Sequence, residues 1–166
     1  MEAASYTTRF GSLADFESGG VEIINDDPRH YAFSNIFDVA SRSKPYEKVA
    51  VGKNMQYVLE AIRAEGISEW RVASHDEFAL VMDGQIEITL VRLDHAPEPS
   101  IDGSVALDGE PVGQRVGRVI ASRGHQTLLP GGTAYRFSTS QPGVILLQTL
   151  AGVDTQFRWA EICQSL

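Results

Sequence analysis

From Glu77 to Val91 the side chains alternate with a period of two. Glu77, Ala79 and Val81 fall on one face and Phe78, Leu80 and Met82 on the other, and Asp83-Gly84 is a tight-turn dipeptide. Ile86, Ile88 and Leu90 then alternate with Gln85, Glu87, Thr89 and Val91, so the stretch predicts a two-stranded hairpin in a barrel wall. Shorter alternating runs predict strands over 116–120, 127–129, 134–137 and 144–150. Residues 53–65 carry two patterns at once. Their composition favours helix, with Tyr57, Glu60 and Arg63 at helical spacing, yet Gln56, Val58, Glu60 and Ile62 alternate with Tyr57, Leu59 and Ala61.

Towards the N-terminus, Ser12 followed by Leu13, Ala14 and Asp15 predicts a helix start of the capping-box kind, ended by Gly19-Gly20. Val21 to Ile24 is a short apolar run stopped by Asn25, Asp26, Asp27 and Pro28. Tyr31, Phe33, Ile36, Phe37 and Val39 are then crowded without alternation, too apolar for a solvated arm. Such a segment either covers one end of the barrel or docks on another subunit. Pro97, Pro99, Gly103, Gly109 and a run of acids make 94–114 a long polar connection, of the length that marks functional or mobile loops.

The chain of 166 residues fits one all-β domain with an N-terminal arm. Its net charge of −8, without a lysine or arginine cluster, argues against nucleic acid or an anionic membrane as partner. A small neutral ligand or a protein suits it better. The single Cys163 forms no internal disulfide, and neither a signal-peptide run nor a membrane-spanning run is visible, so a cytoplasmic location is expected. Serine-hydrolase, phosphate-loop, C-x-x-C and H-E-x-x-H motifs are absent from the sequence.

Two spacings carry the candidate chemistry. Glu77 and Gly84 stand as E-x6-G, and Gly124, Pro130 and Gly132 as G-x5-P-x-G. These resemble the two motifs of the cupins, small antiparallel jelly-roll barrels that hold one metal through three histidines and a glutamate. The resemblance favours strand over 57–64, ahead of the first motif. It also locates the metal positions, and there the match fails. Trp70 and Val72, or Arg71 and Ala73, replace two histidines, Tyr135 replaces the third, and Thr139 replaces an asparagine. One carboxylate is a poor site for a first-row divalent ion, so no metal and no catalytic residue is expected on this chain.

Glu77 reads either as a ligand or acid–base group or as a carboxylate neutralised by neighbours such as Tyr135. His75 sits two residues before it and shares its face, and His125 adjoins Gly124, which leaves open a divergent metal site of His75, Glu77 and His125 in a self-sufficient metalloenzyme. His30 and His95 have no spacing that links them. Trp70 and Tyr135 place aromatic bodies where imidazoles would bind metal, and with Glu77 and His75 they are the candidate substrate-binding residues.

The run DDPRHYAFSNIFDVASRSKPYEKVAVGKNMQYVLEAIRAEG followed by ASHDEFALVMDG resembles the small subunit of two-subunit hydroquinone 1,2-dioxygenases, most specifically over residues 11–84. The resemblance implies a larger cupin subunit that carries the catalytic iron(II), a small phenolic substrate, and a small subunit that stabilises its partner and contributes wall to a shared pocket. Residues 1–46 would then be the interface arm and 47–166 the barrel, with Trp70 facing substrate. A stand-alone metal-free cupin that binds or senses a small aromatic ligand is the alternative.

Overall fold

A computed structural model describes residues 10–19, 22–27, 34–96, 98, 102–158 and 161. One short helix, α1 (Ile36–Arg42), precedes nine strands: β1 (Val49–Asn54), β2 (Tyr57–Ile67), β3 (Arg71–Ala73), β4 (Glu77–Asp83), β5 (Gln85–Leu93), β6 (Ser104–Ala106), β7 (Gly113–Ser122), β8 (Gln126–Leu129) and β9 (Thr133–Leu150). The all-β jelly-roll expectation holds. All pairings between these strands are antiparallel, and β9 is the hub, lying against β2, β3, β4 and β5.

The predicted strand over 57–64 is present and longer. It runs to Ile67 through a bulge between Ala64 and Gly66, where Gly66 takes a positive φ of 74°. Cross-strand pairing with Val144 to Leu150 overrides the local helical preference.

The Asp83-Gly84 hairpin is not formed. β4 pairs with β8 and with the second half of β9, whereas β5 pairs with β7 and the first half of β9. Gly84, at φ 79°, turns the chain from one side of the barrel to the other, and a Cβ there would come within 3.1 Å of the Gly143 Cα. The two strands predicted at 134–137 and 144–150 are likewise one strand, whose pairing with β2 is interrupted between Thr139 and Gly143.

The helix predicted from Ser12 is also absent. The Ser12 Oγ accepts from the Asp15 N–H at 3.1 Å, which closes a local turn, and the Leu13 N–H is claimed by Asp83 Oδ2 at 2.8 Å. A helix of two turns gains too few hydrogen bonds to compete with that anchor. The helix that does form starts at Asn35, whose Oδ1 accepts from the Phe37 N–H at 2.9 Å, and it carries an Asp38–Arg42 ion pair at 2.8 Å. Its Phe37 and Ala40 pack with Val144, Leu13, Phe16 and Met82, so this part of the arm covers the barrel's own sheet. Val21, Pro28, His30, Tyr31, Phe33, Pro97, Pro99 and Cys163 lie outside the described residues.

The main core is filled from inward positions of β2, β4, β5 and β9, with Ile86, Ile88, Ile145 and Leu147 each at most 1 % exposed. Each such side chain stabilises the fold by about 1.5–3 kcal/mol relative to exposure. Among the described residues no helix is long and apolar enough to cross a membrane.

Candidate functional site

Polar groups run through the interior beside that core. On β4, Glu77 points inward and is fully buried. Its Oε1 accepts from the Thr149 hydroxyl at 2.6 Å, and the same hydroxyl oxygen lies 3.0 Å from His75 Nε2. The H-x-E spacing thus brings His75 and Glu77 to one point, but a threonine oxygen occupies it. Thr149 gives its hydroxyl proton to the carboxylate, and its oxygen lies against His75 Nε2, which also faces the Leu150 N–H at 3.3 Å, so one threonine bridges imidazole and carboxylate.

Tyr135, 1 % exposed on β9, lies beside Glu77 and Ser104, yet its hydroxyl makes no hydrogen bond; Glu77 Oε2 and His75 Nδ1 are buried without partners as well. Burial, reinforced by the Glu77 charge, holds the Tyr135 phenol protonated far above its ordinary range.

Next to this group stands a buried ion pair that sequence reasoning missed. Lys48 Nζ lies 3.1 Å from Glu60 Oε2 and donates to Ser104 Oγ at 2.7 Å, while Glu60 Oε1 accepts from the Thr155 hydroxyl at 2.7 Å. Glu60 is fully buried and Lys48 is 5 % exposed. Burial raises the Glu60 carboxyl, and Lys48 and Thr155 pull it back only in part. One signal was available: Glu60 alternates with Val58 and Ile62, a charge on an otherwise apolar face. Arg71 completes the group from β3, donating to Ser104 Oγ at 3.0 Å and pairing with Asp154.

Arg71 pairs in register with Tyr135, which turns Trp70 to the opposite face of β3. Trp70 is 7 % exposed in a separate cluster with Val72, Val91 and Ala134, under the segment that carries Leu107. Its indole N–H donates to Glu110 Oε2 at 3.0 Å, and the Arg136 guanidinium lies 4.5 Å from the ring centre. The structure therefore gathers Glu77, His75 and Tyr135 and sets Trp70 apart.

His125 is also apart. It is exposed after β7, its Nδ1 accepts from the Ser122 N–H at 2.9 Å, and its backbone oxygen receives the Val81 N–H. Four residues along β4 from Glu77 is about 13 Å at ~3.3 Å per residue. Among the described residues no three histidine, cysteine, aspartate or glutamate side chains converge as a metal site would require. The donor set does not fit iron: Thr149 takes the free contact of both His75 and Glu77, and Val72 and Ala73 offer no donor.

A cleft lined by Lys48, Arg71, Tyr135 and Phe137 opens toward the group, with room of about 20 Å³, on the order of one water. Small-molecule sites span roughly 300–1,000 Å³.

No protein-family model and no curated protein matches the sequence. Solved structures do. One chain of a hydroquinone 1,2-dioxygenase PnpCD in complex with Cd2+ and 4-hydroxybenzonitrile is 51 % identical, with TM-score 0.92, covering 99 % of this chain and 100 % of that one. A chain of the hydroquinone 1,2-dioxygenase from Sphingomonas sp. TTNP3 with 4-hydroxybenzoate bound is also 51 % identical, with TM-score 0.92 and coverage of 97 % and 99 %. A cupin-2 domain protein from Shewanella frigidimarina shares the fold at 15 % identity and TM-score 0.52, over 74 % of this chain and 98 % of that one. A longer chain of PnpCD, in complex with Fe3+, matches at 12 % identity and TM-score 0.60, over 84 % of this chain but 39 % of its own length. Half of all positions shared with a whole chain of two such enzymes, on one cupin jelly roll, carries the assignment: this protein belongs to the hydroquinone 1,2-dioxygenase family.

Proposed function

We propose that this chain is the small subunit of an iron(II)-dependent hydroquinone ring-cleaving dioxygenase, and that it stabilises a larger cupin subunit holding the iron. The observation that carries this reading is the contrast between two chains of the same kind of enzyme. The likeness is 51 % over the whole length of a short chain and 12 % over part of a longer one. The interior supports it independently, because the position that would hold metal in a cupin is filled by a threonine-bridged histidine and glutamate beside a buried tyrosine.

The chemistry of this chain is accordingly structural. The Lys48–Glu60 pair and the His75–Thr149–Glu77 bridge fix inward faces of β2, β4 and β9 relative to each other, while the oxygen chemistry belongs to the partner. Phenols with a para substituent, like those bound in the related enzymes, are the proposed substrate class. Any substrate contact from this chain is proposed at Trp70, held against Glu110 and Arg136, rather than at Tyr135, Glu77 or His75 inside the barrel.

The test is metal analysis and hydroquinone-dependent oxygen uptake for this chain alone, for the larger chain alone, and for both. Activity that requires both, with iron on the larger chain, is expected. Stoichiometric iron and turnover from this chain alone would refute the reading. Replacing Trp70 with alanine is expected to raise KM at least ~10-fold in the two-chain enzyme; unchanged KM and kcat would remove Trp70 from the pocket.

A further inference from the structure

The second half of the long 94–114 connection is tied down at both ends. β6 pairs with β3, with Ser104 opposite Ala73, Val105 opposite Val72 and Ala106 opposite Arg71. The Leu107 N–H then donates to the Trp70 carbonyl at 2.8 Å, and the Asp94 N–H donates to the Val112 carbonyl at 3.2 Å. Val105 and Leu107 pack on the cluster of Trp70, Val72, Val91 and Ala134, so residues 104–112 form a strap that roofs the indole. Glu110, on the same strap, grips the ring. Its Oε2 accepts from the indole N–H at 3.0 Å, and its Oε1 accepts from Arg136 at 3.4 Å.

The strap begins at a residue held from inside the barrel. Ser104 is 1 % exposed; its Oγ accepts from Lys48 Nζ at 2.7 Å and from Arg71 Nε at 3.0 Å, and its carbonyl accepts from Arg71 Nη2 at 2.8 Å. Hydrogen bonds from cationic donors are the strong ones, so two buried charges hold one small side chain. Neither cation can follow the strap if it lifts, because Lys48 is paired with Glu60 and Arg71 with Asp154. The backbone just ahead is equally confined: a Cβ at Gly103 would come within 2.6 Å of the Gly152 Cα. Arg136 reaches the indole from β9, whose place the sheet fixes, but Glu110 lies between β6 and β7, outside both of their ladders. The grip on the indole N–H is therefore as steady as the anchor at Ser104.

We infer that Ser104 is a positioning residue for substrate binding: by fastening the strap to Lys48 and Arg71 it holds Glu110 in place and so sets the orientation in which Trp70 is presented. The inference rests on the contact of Trp70 with substrate proposed above for the two-chain enzyme. A purely structural role, in which the hydroxyl only satisfies two buried cations, makes different predictions.

The test compares Ser104→Ala with Ser104→Thr, which keeps the hydroxyl, in the enzyme reconstituted with the larger subunit, and follows Trp70 emission in the same variants carrying Trp159→Phe. Ser104→Ala is expected to raise KM for hydroquinone at least ~5-fold with kcat unchanged, and to shift Trp70 emission to longer wavelength. Ser104→Thr is expected to restore both. A lower melting temperature in Ser104→Ala with KM and Trp70 emission unmoved would overturn the inference and leave the hydroxyl a structural group. A fall in kcat that tracks loss of bound larger subunit, with emission unmoved, would overturn it in favour of assembly. Shifted emission with KM unchanged in both Ser104→Ala and Trp70→Ala would overturn the substrate contact while keeping the anchor. Turnover by this chain without the larger subunit would overturn the two-subunit reading, and the emission of Trp70 would still decide the anchor.

Discussion

Replacing Lys48 with methionine isolates the energetics of the barrel interior. At 3.1 Å the Lys48–Glu60 attraction is about 5 kcal/mol for an effective dielectric of ~20. That attraction is opposed by several kcal/mol of desolvation for each ion. The intact pair is therefore worth little, but half of it is costly: Lys48→Met leaves a fully buried carboxylate with only the Thr155 hydroxyl at 2.7 Å. A loss of about 3–5 kcal/mol is expected at pH 8. The double variant Lys48→Met/Glu60→Leu should recover most of it, short of about 1 kcal/mol for the Thr155 hydroxyl left without its acceptor.

The pH dependence has a definite sign. Burial raises Glu60 above its ordinary 4.5, and Lys48 is the largest opposing influence, so its removal raises Glu60 further. A carboxyl raised in the folded state holds a proton that the unfolded chain releases. Its contribution is most favourable below about 4.5 and is lost as pH rises through the raised folded value. The penalty of Lys48→Met should accordingly be small near pH 4 and full at pH 8. Urea denaturation followed by tryptophan fluorescence at pH 4, 6 and 8 measures it. A pH-independent difference, a loss under 1 kcal/mol at pH 8, or a double variant as unstable as the single one would refute this account.

Substitutions at three further positions probe other joints. Thr149→Val removes the group shared by His75 and Glu77 and should cost about 1–3 kcal/mol in chemical denaturation, whereas Thr149→Ser should stay near wild type. Asp83 would be raised by burial, but the Leu13 N–H, Arg123 and the Gly84 N–H more than offset this and hold it below its ordinary 3.8. Its contribution is present above pH ~3.8 and is lost as pH falls through the lowered value, so Asp83→Asn should cost about 1 kcal/mol at neutral pH. Hydrogen exchange at Leu13 should quicken in that variant, and in the wild type once acid protonates Asp83. Gly84→Ala combines a positive φ with the 3.1 Å approach to Gly143 and should destabilise by about 1–3 kcal/mol in thermal melts.

Alternation along 77–91 revealed the strands of this barrel, but not which strand lies next to which. The Asp83-Gly84 turn has the local chemistry of a hairpin, and only the sheet shows that Glu77 pairs with Leu129 while Gln85 pairs with Ser122. Pro142-Gly143 reads as a strand break because proline donates no ladder hydrogen bond, yet β9 continues through it with only its pairing to β2 interrupted. At 12–15 the serine–aspartate pattern of a cap is satisfied by a turn, and at 35–42 an asparagine cap was hidden by crowded aromatics.

The site was legible where spacing fixes a face. H-x-E put His75 and Glu77 on one side of a strand, and the motif spacing located Tyr135 opposite. Which of Trp70 and Arg71 turns inward depended on register, and a one-residue shift inverts it; Arg71 is the inward one. Lys48 and Glu60 meet because β1 folds back on β2. Neither residue has a sequence neighbour that announces the other.

The hub position of β9 has a consequence for how the chain is made. Four other strands lean on residues 133–150, and β2, begun at Tyr57, pairs with a strand that ends at Leu150. During synthesis β2, β4 and β5 leave the ribosome long before the strand they share. Contacts of such sequence separation close slowly, and until they do apolar strands stand open to aggregation. The late arrival of one strand makes this chain one whose yield should depend on chaperones or slower translation more than on its final stability.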